Sequence, residues 1–389
     1  MATAELIVER EEPAAQPRRL PAQIPELDGL RGLAVLLVMI CHSAIWLPSS
    51  WLRSVLVEGR IGVDLFFVLS GFLITGILLD TKRDPRALRN FYIRRGLRIW
   101  PLYFLFLLAA FTAFRRMVPA GISPLAYVLF AQNFFYVANT GPFLDPLWSL
   151  AVEEQFYLVW PWIALRVRRK TVLRICWAVL VLSPVIRCAM HAAGASEDFI
   201  YANTLCRLDG IAIGGLIAAW VRGGEVGVDQ LRKVSRLAII AGVLGTVLSF
   251  LTAAPFAAEL RYSFIAIAFG GALAAALVLQ GSDSFLARRL RSCPLAGLGR
   301  ISFAVYLFNL PIYTLMHGAR VSLLLRNSPG ILAAVLRLVV GNAFVIALAA
   351  CSWKFFESPI LRLKERLAPR EGRSVVTIVV TYVVLTVLG

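Results

Sequence analysis

Arg31 and His42 stand with ten residues between them in the stretch from Glu26 to Ser43, which is otherwise almost wholly apolar beyond its first turn. Eleven helical steps turn through about 1100°, so the two side chains lie about 20° apart around the axis and about 16 Å apart along it. One helix face thus carries a fixed cation near one membrane surface and an imidazole deep in the apolar layer. An ionisable group is costly there, which makes it a functional candidate. Imidazole exchanges a proton near neutral pH, and His42 is read as the reactive centre.

Three further stretches carry groups able to work beside an imidazole. Arg95 and Arg98 lie one helical turn apart at the mouth of a later apolar stretch, with Arg94 beside them. A pair at that spacing grips a phosphate bidentately, and it is equally the pattern of an anchor for lipid head groups. Glu153 and Glu154 are adjacent within an apolar helix and point about 100° apart, so at least one is expected to face the bundle interior. A carboxylate there would orient an imidazole, neutralise an arginine or bind an acceptor hydroxyl; an outer, solvated rim is the plainer alternative. Between Asp64 and Thr75, the small pair Ser70 and Gly71 allows close approach of a helix or a thin ligand. Asp64 is either part of a site or a water-interface residue. Asn309 offers a donor and an acceptor inside the bundle. Glu357 is expected to pair with basic neighbours, and His191 and His317 read as surface histidines near helix ends.

The elements that position these groups follow from composition. The chain has 389 residues, 59% of them hydrophobic and 16% charged, with mean hydropathy +0.75. That excludes a soluble globular protein. Apolar stretches recur at 30–47, 61–79, 99–116, 146–165, 172–190, 206–222, 236–254, 261–280, 297–318 and 331–353. Each is long enough to cross a bilayer. The expected fold is all-α, a polytopic transmembrane bundle of about ten spans, with residues 374–388 a candidate short eleventh. The segment from Pro124 to Val137 is expected to be a re-entrant or interfacial piece on the outer side.

A net charge of +17 would suggest nucleic acid in a soluble protein. Here 30 of the 40 Lys and Arg fall in the N-terminal segment and alternate loops, leaving ten, including Arg60, Arg187 and Arg207, on the other side. The positive-inside rule puts the N-terminus and the basic loops in the cytoplasm. The six cysteines are scattered singly and make no metal-ligand spacing with the three histidines, so no metal is expected. Residues 1–24 read as a disordered cytoplasmic tail without signal-peptide character, 25–359 as the transmembrane domain, and 360–389 as a basic segment.

Arg31-x10-His42, Phe66-Phe67-x-x-Ser70-Gly71-Phe72, Arg95-x-x-Arg98 and Ser149-Leu-x-x-Glu153-x-x-Phe156-Tyr157, taken in order, resemble the membrane-bound acyltransferase 3 family. That family O-acylates bacterial surface glycans and some small molecules. The resemblance runs from about Pro25 to Pro359. It implies an acyl-CoA donor, usually acetyl-CoA, bound from the cytoplasm. The implied acceptor is a hydroxyl of a glycan or a glycosylated small molecule, in the bacterial inner membrane. His42 then corresponds to the essential histidine and Arg31 to its motif partner. Arg95 and Arg98 correspond to the pair that holds the CoA phosphates, and Glu153 to the fourth-span glutamate; Ser70 belongs to the cofactor-binding stretch. Where many relatives carry a second histidine, this chain has Asn309. The sequence carries no SGNH hydrolase-like domain of the kind fused to some members, so a stand-alone transferase is expected.

On this reading His42 deprotonates the acceptor hydroxyl, which attacks the thioester, while Glu153 orients the imidazole; an acyl-histidine intermediate is the variant mechanism. The rival class is a transporter or flippase of a lipid-linked sugar or anion. It is disfavoured by the lack of internal repeats and of matching broken helices in two halves.

Overall fold

The structure is a computed structural model that describes residues 24–44, 47, 51–135, 140–224, 226–252, 254, 256–317 and 330–368. The N-terminal tail and the candidate eleventh span at 374–388 lie outside the described residues. Among those described, ten long helices cover the ten apolar stretches: α1 Pro25–Ser43, α2 Gly62–Asp80, α3 Ala87–Phe111, α4 Leu147–Ala164, α5 Arg169–Ala192, α6 Leu208–Val221, α7 Val228–Leu251, α8 Ala257–Val278, α9 Ser302–His317 and α10 Gly330–Ser352. Five helices are long and apolar enough to cross a membrane by length and composition, or six if one bent pair is a single span. Helices α1, α3 and α4 are not among them. They are the ones interrupted by Arg31, by Arg94, Arg95 and Arg98, and by Glu153 and Glu154, so the groups with chemistry are what lower their apolar character.

Helix α2 is the hub. It is apolar all round and buried along nearly its whole length, as such a helix must be. Its closest neighbour is α6. A Cβ on Gly71 would stand 1.9 Å from the Ile211 carbonyl oxygen, and one on Gly214 would stand 2.0 Å from that of Val68. The two backbones therefore touch, as small residues permit between membrane helices. Of the adjacent pair in the sequence, Gly71 serves packing while Ser70 turns to α4. At the periphery, α5, α7 and α10 keep large apolar side chains outward, among them Trp177, Leu244 and Phe344.

Two expectations change in detail. The stretch at 297–318 is not one straight span: Cys293–Arg300 meets Ser302–Met316 at 80° and lies against the start of α1. A Cβ on Gly299 would stand 1.9 Å from the Asp28 carbonyl oxygen, so the bend is where the backbone of this segment meets that of α1. Glu357 accepts from Ser352 Oγ (3.0 Å) in a π turn at Trp353–Glu357, with Arg98 close enough to act on it but in no ion pair with it among the described residues. His191 pairs with Glu259 at 2.7 Å and is 48% exposed, a surface position.

The segment after Pro124 folds back as two short helices, Pro124–Val128 and Gln132–Phe135. Its polar residues face inward. Asn133 donates to Thr204 Oγ1 (2.8 Å) and the Ala202 carbonyl (3.1 Å), and accepts from Gln155 (2.9 Å). Gln132 donates to the Leu147 carbonyl (2.8 Å). These bonds tie the segment to α4 and to the turn before α6.

Candidate functional site

Five of the six residues singled out for chemistry line one cavity: Arg31, Ser70, Arg95, Arg98 and Glu153. They come from α1, α2, α3 and α4, and the cavity runs along α2 from Val63 to Leu73. Phe303 and Tyr306 of α9 close another side.

A chain of hydrogen bonds crosses the cavity wall. Arg95 Nη2 donates to the Tyr157 hydroxyl (2.5 Å), and its guanidinium carbon stands 4.2 Å from the Tyr157 ring centroid. The Tyr157 hydroxyl donates to Ser70 Oγ (3.0 Å), and Ser70 donates to Glu153 Oε1. Each hydroxyl has one proton to give, so the order of donors is fixed from Arg95 to Glu153. Arg95 Nε is buried without a partner. Arg95 is thus oriented by Tyr157 while part of its donor fork stays available to the cavity.

Arg31 and Arg98 form no ion pair or hydrogen bond among the described residues. Three guanidiniums therefore share a cavity with one carboxylate, Glu153, which is itself engaged by Ser70. Like charges gathered in a poorly solvated space repel unless an anion joins them. The arrangement suits an anion. Glu154 does not line the cavity; it accepts from Trp100 Nε1 (2.9 Å).

His42 lies beyond the other end. It does not line this cavity and sits beside Asn309, one helical turn past Tyr306. Asn309 is fully buried, and its amide nitrogen donates to the carbonyls of Val305 (2.9 Å) and Tyr306 (3.1 Å). Only its Oδ1 is left for the imidazole, and Oδ1 meets His42 Nδ1. Since Oδ1 accepts only, Nδ1 carries the hydrogen and Nε2 keeps the free lone pair. The partner of the imidazole is thus Asn309, and the carboxylate expected there, Glu153, belongs to Ser70. Sequence reading registered Asn309 as a donor and acceptor inside the bundle and as a departure from a family pattern, without joining it to His42.

Tyr306 stands between the two regions. Its hydroxyl donates to the Pro146 carbonyl (2.9 Å) and shares a hydrogen bond with Ser149 Oγ (2.6 Å), tying α9 to the start of α4. Asp64 is not at the water interface. It is 6% exposed and pairs with Arg207 at 2.6 Å, beside a second buried pair, Arg187 with Asp209 at 2.8 Å. Among the described residues no group of three or more His, Cys, Asp or Glu is placed to hold a metal ion.

The chain is 30% identical to the peptidoglycan O-acetyltransferase OatA of Listeria monocytogenes over 87% of its length, covering 56% of that protein. It is 25% identical to the O-acetyltransferase OatA of Staphylococcus aureus over the same share, covering 57% of that one. The chain thus spans about half the length of these curated relatives. No solved structure matches it. The model of the acyltransferase 3 family, described as an acyltransferase domain, matches residues 24–353, a region holding the arginine-lined cavity and the His42–Asn309 pair. This chain belongs to that acyltransferase family.

Proposed function

We propose that the chain is an integral-membrane O-acetyltransferase of ten spans with its N-terminus in the cytoplasm of a bacterium. It takes acetyl from acetyl-CoA on the cytoplasmic side and delivers it to a hydroxyl of a cell-surface glycan. The observation that carries this reading is the cluster of Arg31, Arg95 and Arg98, which line one cavity and make no ion pair among the described residues. Guanidinium forks suit the phosphates of CoA, and Arg31 and Arg98 lie toward the helix ends that the positive-inside rule assigns to the cytoplasm. The names of the relatives support an acetyl group and a glycan acceptor.

The donor phosphates rest on the three arginines, with Arg95 held in place by Tyr157. The thin pantetheine arm follows α2 past Ser70 and Tyr306 toward His42. The rise of about 16 Å from Arg31 to His42 is comparable to the reach of that arm. His42 Nε2, its lone pair held ready by Asn309, takes the proton of the acceptor hydroxyl. The hydroxyl oxygen attacks the thioester carbonyl, the carbon–sulfur bond breaks, and the departing thiolate takes the proton from His42. Ester and free thiol are the products, and the imidazole returns to its starting state. Ser70 and Glu153 position the arginine side of the cavity rather than the base.

The test is thiol release from acetyl-CoA by purified protein with a panel of sugar acceptors, wild type against His42→Ala. Acceptor-dependent release that disappears in the variant is the expected result. Unchanged release would move the chemistry away from His42, and substrate accumulation across a vesicle without thiol release would favour a transporter.

A further inference from the structure

A second cavity opens on the far side of the start of α4. It is predominantly polar, and aromatic rings form one wall: Trp148, Tyr201 and Tyr262. The rings are packed in series, with centroids 4.6 Å apart for Trp148 and Tyr201 and 5.8 Å for Tyr201 and Tyr262. Arg207, 1% exposed, backs all three, at 5.8, 5.0 and 4.3 Å from their respective centroids. A buried cation and the carboxylate of Asp64 behind it make this wall rigid.

Carboxylates outnumber guanidiniums in the polar lining. Asp145, Glu197 and Asp198 reach the cavity and form no ion pair among the described residues. Gln132 is 1% exposed and lines the same cavity; its Oε1 has no hydrogen-bond partner. Two guanidiniums also line it: Arg60, paired with Glu58 at 3.4 Å, and Arg261, bonded to Ser249 Oγ at 3.1 Å and set over the Phe250 ring. With three carboxylates against these two cations, one of them already paired, the lining does not attract an anion. Flat aromatic faces beside unpaired carboxylate and amide oxygens are complementary to a neutral sugar, whose ring offers an apolar face and a rim of hydroxyl donors.

The position of this cavity links it to the chemistry. Trp148 faces it while the next residue, Ser149, faces the arginine-lined cavity. Gly59, which precedes Arg60, packs on Cys41, which precedes His42. Asp145 precedes Pro146, whose carbonyl holds Tyr306. The sugar cavity and the donor cavity thus meet at the start of α4, beside residues that pack on the helix of His42 and hold Tyr306.

We infer that the cavity lined by Trp148, Tyr201 and Tyr262 is the acceptor subsite, and that it binds a neutral oligosaccharide by stacking on the rings and by hydrogen bonds to Asp145, Asp198 and Gln132. This rests on the acetyltransferase reading for its role, but binding can be measured without transfer. The probe is the β-1,4-linked tetramer of N-acetylglucosamine, titrated calorimetrically into full-length protein in nanodiscs without donor.

Trp148→Ala is expected to weaken tetramer binding about ten-fold or more, and Trp148→Phe about three-fold or less, because stacking and ring burial are what change. Asp198→Asn, at an exposed rim position that leaves folding intact, is expected to weaken it about three- to ten-fold. Acetyl-CoA affinity should be unchanged in all three. Wild-type protein that binds acetyl-CoA but not the tetramer, or variants that bind the tetramer as wild type does, would overturn the inference. Tetramer binding that depends on Trp148 without any thiol release upholds the subsite and defeats the transferase reading. Thiol release whose acceptor KM ignores both Trp148 and Asp198 does the reverse.

Discussion

Asn309 fixes the tautomer of His42 across 267 residues of sequence. Its amide nitrogen is committed to two carbonyls of its own helix, so its oxygen can only accept, and the imidazole must present Nδ1–H to it. A base held in one tautomer and one orientation loses little on proton transfer, the role that an orienting partner plays for histidines in many sites. Asn309→Leu is therefore expected to lower kcat about 10–100-fold while leaving acetyl-CoA affinity unchanged. Single-turnover acetyl transfer set beside equilibrium donor binding checks this. An equal loss in both would mean that Asn309 shapes the bundle rather than the base.

The unpaired arginines make a prediction about stability as well as binding. Arg31, Arg95 and Arg98 repel one another in their shared cavity, and an anion relieves that repulsion. Arg98→Met is expected to raise the melting temperature of the ligand-free protein and to weaken acetyl-CoA binding about ten-fold or more. Saturating CoA should stabilise the wild type by about 2.7 kcal/mol at a hundred times its Kd, and the variant by much less at the same concentration. Thermal unfolding with and without CoA reads both effects. A variant less stable when empty would show that Arg98 is a structural cation.

Tyr157 meets Arg95 in two ways, through its hydroxyl and through its ring face. Tyr157→Phe removes the bonds to Arg95 and Ser70 and keeps the ring; Tyr157→Leu removes both. The expected result is a graded rise in acetyl-CoA KM, about three- to ten-fold for Phe and larger for Leu, since a cation over a ring contributes about 0.5–2 kcal/mol of its own. Initial rates over a range of donor concentrations check the order. Equal effects of the two substitutions would show that only the hydroxyl positions Arg95.

Sequence made some of these relationships visible and hid others for physical reasons. Helix positions came from runs of apolar residues, a local signal, and all ten stretches are helical. Arg95 and Arg98 were visible because their spacing is one helical turn. Their convergence with Arg31 and Glu153 depends on how four helices pack, which no local period encodes. The same limit hid the surroundings of Arg187 and Arg207. Counted in sequence among the outer-side charges, they are 0% and 1% exposed and answer to carboxylates 22 and 143 residues away. Ser70 and Gly71 were an undivided pair in the sequence; helix geometry sends one to α4 and the other to α6.

The Arg187 cluster is where the bundle itself is most exposed to a single change. Arg187 Nη2 reaches Asp209 Oδ2 at 2.8 Å and Ser263 Oγ at 2.5 Å, and its Nε donates to the Glu259 carbonyl at 2.8 Å. Ser263 in turn donates to Asp209 at 2.7 Å. The guanidinium thus joins α5, α6 and α8. Removing one charge of such a pair strands the other, which costs about 3–5 kcal/mol, whereas removing both and filling the space with apolar atoms is often neutral. Asp209→Asn is therefore expected to lower the unfolding midpoint sharply in detergent, and Arg187→Met combined with Asp209→Leu to recover most of it. The arginine cavity lies on other helices, so acetyl-CoA binding by the folded fraction should be unchanged in both proteins. A double variant no more stable than the single one would mean that the cluster holds the helices by its hydrogen bonds and not by its paired charge.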